Sequence, residues 1–157
     1  MKRRKKTIAI ILIIISLFIN AVQFIILKEY KHRQHSAADN DFKTGLQLTC
    51  LGINIIKAKK TDELSSMSLL SSGTSKASTI YASTSYYKSN PILDNTIWIL
   101  NNNITNRTNI REVLDNNDLT VLIPAIKKVI DDPLDETATN ELDYLVRKHT
   151  VIGSPLP

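Results

Sequence analysis

With 157 residues the chain has room for one folded domain, and its single cysteine, Cys50, rules out an intrachain disulfide as a staple for that domain. Twenty Lys and Arg against fifteen Asp and Glu give a net charge of +5, yet five of the basic residues, Lys2, Arg3, Arg4, Lys5 and Lys6, stand together at the start, and residues 28–157 balance to zero. A nucleic-acid binder needs a basic face to neutralise phosphates, and here the excess sits elsewhere, so no nucleic-acid partner is expected.

Residues 7–27 follow the basic tail and contain no charge. Fifteen of them are Ile, Leu, Val or Phe, and at ~1.5 Å per residue the stretch is about 31 Å long, close to the ~30 Å of bilayer hydrocarbon. A soluble domain of this size cannot surround a helix that is apolar on every side, so a transmembrane helix is expected. Basic residues beside a span stay on the cytoplasmic side. Lys2, Arg3, Arg4, Lys5 and Lys6 are therefore the topology determinants: residues 1–6 form a cytoplasmic tail and everything after the span is extracytoplasmic. The expected location is the plasma (cytoplasmic) membrane, crossed once by an uncleaved signal anchor.

The competing reading is a cleaved secretory signal, which also pairs a basic start with an apolar run. That run is usually shorter than this one, and the nearest small-residue site, Ser36-Ala37-Ala38, lies beyond the charged Lys28, Glu29, Lys31 and Arg33. Inside the span, Ser16, Asn20 and Gln23 are spaced four and three apart and project from one side of a helix. Asn20 lies about 10 Å below the outer edge. Polar side chains at that depth favour a partner, so a homodimer or another membrane protein along this stripe is one expectation; the alternative is that Asn20 and Gln23 reach toward the outer headgroups while Ser16 bonds to its own backbone.

Residues 28–38 form a juxtamembrane segment, with Lys28, Lys31 and Arg33 as interface anchors. His32 and His35 are three apart and Asp39 one turn further on, but basic neighbours repel a cation and zinc wants three or four ligands; no metal is expected. Residues 39–150 read as an extracytoplasmic helical domain. Phe42, Leu46, Thr49, Ile53 and Ile56 share one helical face over 39–60, with Gly45 and Gly52 as points of loosening and Lys57, Lys59 and Lys60 complementing the helix end. Cys50 falls among them, where a small thiol is ordinarily buried.

Thr61 caps the next segment, with Asp62 and Glu63 in its first turn. The stretch to Ser89 is rich in Ser and Thr; the spacing of Leu64, Met67, Leu70, Ala77, Ile80, Tyr81 and Tyr87 predicts a helix, with a flexible linker as the alternative. Asn90-Pro91 starts a helix that Ile92, Leu93, Ile97, Leu100 and Ile104 carry to about Asn106, with Trp98 alongside and residues 101–103 facing water or capping its end. Asn109 and Glu112 resemble a capping box for a short helix through Val113 and Leu114.

Asp118 caps the next helix, whose Leu119, Leu122, Ile123, Ile126, Val129 and Ile130 form an apolar stripe. Pro124 is expected either to kink it or to start it, and Asp132-Pro133 to end it. A last helix over 138–149 presents Leu142, Leu145 and Val146, and residues 151–157 form an irregular tail. No alternating strand pattern competes. The fold class is all-α: one N-terminal transmembrane helix followed by a small extracytoplasmic helical bundle.

Nucleophilic catalysis needs a hydroxyl or thiol within reach of an oriented base, and the three histidines, His32, His35 and His149, stand in no such motif. Asp131-Asp132 and Asp135-Glu136 flank Pro133 without a calcium-loop pattern, and no glycine-rich phosphate loop is present. Neither an enzyme nor a cofactor is expected. The sequence suggests a non-enzymatic interaction or regulatory component of the cell envelope whose partners are the lipid bilayer and an envelope protein. The alternatives are a membrane-anchored enzyme acting on wall or lipid, and a secreted helical protein. Abundant Ile, Lys and Asn suggest a bacterial source.

Overall fold

Every residue to which regular structure is assigned in the computed structural model is helical. It describes the backbone of residues 2–58, 63–106, 113–114 and 118–150, with side chains from residue 11 and, after the first gap, from residue 65. The chain divides into two compact units, Met1–His35 and Ser36–Pro157. Helix α1 (Lys2–Ala58) contributes to both.

In the first unit α1 is uninterrupted, including the juxtamembrane residues. Residues 28–38 contain no Pro or Gly and are rich in strong helix formers such as Lys28, Glu29, Arg33, Gln34 and Ala37. Arg33 pairs with Glu29 at 2.6 Å and Gln34 donates to the Tyr30 hydroxyl at 2.9 Å, both one turn apart. A separate helix starting near Asp39 is thus not what forms.

The second unit takes its first element from the remainder of α1 and continues through α2 (Glu63–Tyr81), α3 (Pro91–Thr105), a 3₁₀ turn (Leu119–Val121), α4 (Leu122–Asp131) and α5 (Glu136–Thr150). The Ser/Thr-rich segment is helical as far as Tyr81; residues 82–89 make turns instead. Asn90 caps α3, its side chain accepting from the Leu93 N–H at 3.1 Å with Pro91 in the first turn. The carboxylate of Asp118 accepts from the Thr120 N–H and so caps the 3₁₀ turn.

Pro124 does not start α4, which begins at Leu122. It stands in the first turn, where its missing N–H has no intrahelical partner to lose. Helix α5 starts two residues earlier than its apolar pattern suggests, since Asp135 accepts from the N–H groups of Thr137 and Ala138. Lys59, Lys60, Thr61, Asp62, Asn109, Glu112 and the tail 151–157 lie outside the described residues.

Gly45 and Gly52 do not loosen α1; they let α2 approach it. A Cβ on Gly45 would lie 2.7 Å from the Ala77 nitrogen, and one on Gly73 of α2 would lie 2.6 Å from the Thr49 nitrogen. Only glycine fits where two helix backbones come this close. The two helices run antiparallel, with Asp41 paired to Lys76 at 2.7 Å and Gly52 against Leu70.

Helix α3 packs on α2 and on α5. Asn90, Thr96 and Asn103 meet Thr139, Asp143 and Thr150 in turn, so α3 and α5 run parallel. Helix α4 folds back on α5, with Lys128 reaching Glu141 at 2.6 Å, while Lys57 of α1 reaches Asp118 and Thr120 just before α4. Between these elements lies one core, including Phe42, Leu46, Leu70, Leu93, Ile97, Ile126 and Leu142, each no more than 1% exposed.

Candidate functional site

The candidate site is built by the apolar half of α1. From residue 11 to residue 37 every side chain is exposed. Within residues 11–27 this includes Leu17 at 63%, Phe18 at 70%, Phe24 at 69% and Ile25 at 63%. This helix is long and apolar enough to cross a membrane. A run of exposed aliphatic and aromatic side chains on every face is costly in water, so hydrocarbon is the environment that suits it.

Ser16, Asn20 and Gln23 are all exposed on this segment, and their intervals of four and three set them along one side of α1. Lys2, Arg3, Arg4, Lys5 and Lys6 belong to the helical backbone of α1, but their side chains lie outside the described residues.

The second unit carries polar groups that could suggest chemistry, and three of its carboxylates have structural partners. Asp39 accepts at both oxygens from Ser85, from its backbone N–H and its hydroxyl, each at 2.8 Å. That fastens the turn after α2 to α1 and engages the carboxylate that stood one turn from His35. Asp132 and Asp135 accept from backbone N–H groups of the α4–α5 turn and the start of α5. Among the described residues no three His, Cys, Asp or Glu side chains are grouped as metal ligands.

Cys50 is buried, and loss of hydration pushes its thiol up to about 11, against a smaller opposing pull from Lys127. A thiol so held is almost wholly protonated at neutral pH and is a poor nucleophile. One open groove borders it, lined also by Gln47, Asn54 and Lys127, but among the described residues no histidine or carboxylate base hydrogen-bonds to the sulfur.

Of the run expected to face water or cap α3, Asn102 is exposed and its carbonyl accepts from the Asn106 N–H, while its two neighbours hold helices together. Asn101 accepts from Ser75 of α2 at 2.9 Å, and Asn103 donates to Thr150 of α5 at 3.1 Å. Asn90 is both a cap and a clasp, donating to the Pro133 carbonyl and the Thr139 hydroxyl. Phe42, Tyr81, Tyr86 and Tyr87 form an aromatic cluster with neighbouring ring centroids 5.2 to 5.9 Å apart. Tyr81 donates to the Asn90 carbonyl at 2.6 Å, whereas the buried Tyr86 hydroxyl has no partner among the described residues. Burial raises both phenols well above their ordinary range.

Comparison with protein-family models, with curated proteins and with solved structures returns no match. The functional reading therefore rests on the chain's own residues.

Proposed function

We propose that this chain is a single-pass membrane protein of the cell envelope, anchored in the plasma membrane by residues 7–27, with its N-terminus cytoplasmic and residues 39–150 forming an extracytoplasmic helical bundle. Its role in this reading is non-enzymatic: the span fixes location, and the bundle acts as an interaction or regulatory surface for an envelope partner. One observation carries the proposal. The uncharged segment 11–27 is helical and leaves its apolar side chains exposed on every face, as a helix surrounded by lipid would. Orientation follows from the five basic residues that precede it.

The test is a cysteine-accessibility experiment on the full chain in intact cells. With Cys50→Ser as background, Ser89→Cys adds an exposed thiol in the turn before α3. A membrane-impermeant maleimide is expected to label it without permeabilisation, and chemical crosslinking in the same membranes to capture an envelope protein. Labelling only after permeabilisation would overturn the orientation. A mature N-terminus beyond Ala38 would replace the anchor with a secreted protein.

A further inference from the structure

The three polar side chains of the apolar segment belong to a longer seam. Ser16, Asn20, Gln23, Leu27, Tyr30 and Gln34 follow one another along α1 at alternating intervals of four and three, and all six are exposed. At about 100° per residue they fall within an arc of about 80°. Between residues 11 and 27 every residue off this seam is Ile, Leu, Val, Phe or Ala, so the polar groups of the segment are confined to it. Lys28, Glu29, Lys31 and Arg33 also lie off it, which leaves the seam uncharged through Gln34.

A seven-residue repeat of this kind keeps one face of a helix against a neighbour over several turns. If residues 7–27 lay in water, the carboxamides of Asn20 and Gln23 would be solvated and would need no neighbour; the inference therefore rests on the membrane reading above. In hydrocarbon each carboxamide brings two N–H donors and a carbonyl acceptor that lipid tails cannot satisfy.

We infer that the seam docks a second copy of this chain in parallel, with Asn20 and Gln23 of each copy hydrogen-bonding to the same residues of the other. A carboxamide is its own complement, offering donor and acceptor together. The basic tail orients every copy alike, so residues at one depth in one copy meet their equivalents in the next. A polar residue on such a seam also fixes the register of the pair. That register brings Tyr30 and Gln34 together beyond the hydrocarbon, and no like charges oppose one another along the contact.

The experiment uses the full-length chain in native membranes, with Cys50→Ser as background and single cysteines placed in turn at positions 27–34. After mild oxidation, the fraction of disulfide-linked dimer is read on non-reducing gels. Leu27→Cys, Tyr30→Cys and Gln34→Cys are expected to exceed Lys28→Cys, Glu29→Cys and His32→Cys by roughly threefold or more. Adding Asn20→Leu with Gln23→Leu should weaken dimerisation by about tenfold, as expected for losing two interhelical hydrogen bonds. A flat profile, no response to the paired leucines, or crosslinking only to a protein of different mass would overturn the pairing. The same samples are fractionated: a flat profile from a chain that sediments with membranes rejects the seam alone, whereas a chain found in the soluble fraction rejects the span and the seam together.

Discussion

Residues 11–27 and 42–53 of helix α1 share a backbone conformation and differ in the arrangement of their apolar side chains. In the first stretch these side chains occupy every face and stand 38% to 70% exposed, from Val22 to Phe18. In the second, Phe42, Leu46, Cys50 and Ile53 recur at intervals of four and three and are 0% to 6% exposed, covered by the other helices. The difference teaches that helicity alone does not say what a helix is for. The angular spread of its apolar side chains says whether neighbouring helices of the chain can cover them or whether they stay exposed.

The largest expected effect breaks the first stretch. Replacing Ile15 and Ile19 with lysine places two charges near the middle of the apolar run, each disfavoured there by about 3 kcal/mol. The double variant is expected to leave the membrane fraction, while detergent-solubilised protein keeps the circular dichroism of a folded helical domain. Leu142→Ala acts on the second unit instead. It empties a fully buried position beneath α3 and α4 and should cost about 2–5 kcal/mol in denaturant titrations, with membrane association unchanged.

Gly73→Leu sharpens the comparison at the α1–α2 contact. Its side chain would collide with α1 near Thr49, where even a Cβ would be 2.6 Å from the backbone nitrogen. A destabilisation of about 1–3 kcal/mol is expected from such overpacking. An unchanged unfolding midpoint would mean that the two helices are not in backbone contact.

What the sequence made legible was mostly local. The 3- and 4-residue spacing of Phe42, Leu46 and Ile53 marks a helix face without reference to the rest of the chain, and Asn90-Pro91 and Asp118 act on N–H groups only two or three residues away. Gly45 and Gly52 were misread because a helical glycine on its own argues for weakness. Its use depends on Gly73, Ala77 and Leu70 arriving from another helix. Asn101 and Asn103 were illegible for the same reason: a polar run looks solvated until Ser75 and Thr150 are placed beside it. Helix α1 continues through residues 28–38 because a change from apolar to charged composition alters what surrounds a helix without ending it. That Ser16, Asn20 and Gln23 share a side follows from their spacing alone, because three residues on a single helix need no tertiary information for that.

Two tyrosines in one aromatic cluster make a smaller and more pointed contrast. Tyr81→Phe removes a hydroxyl that donates to the Asn90 carbonyl and should cost about 1 kcal/mol. Tyr86→Phe removes a buried hydroxyl without a partner among the described residues and should leave the unfolding midpoint unchanged or raised. Equal losses for the two would contradict the hydrogen-bond assignment.

The remaining effects are confined to the extremes of pH. Hydrogen bonds from the side chain and backbone of Thr120, and then from Lys57, hold Asp118 down to about 2, below the ordinary carboxylate range. Its contribution is present above the unfolded-state value near 4 and fades as pH falls toward 2. Asp118→Asn should flatten that part of the acid unfolding profile. Cys50 acts at the other end: the unfolded thiol ionises near 9 and the folded one near 11, so the stability tied to its burial is complete below pH 9 and declines as pH rises toward 11. Cys50→Ala should remove that decline.

The central claim is that segment 11–27 resides in lipid, and the most direct measurement is where the intact chain goes when its membranes are washed with alkaline carbonate. Full-length protein is expected to stay in the pellet and to be released only by detergent. Its recovery in the carbonate supernatant, with the N-terminal segment still attached, would contradict that claim.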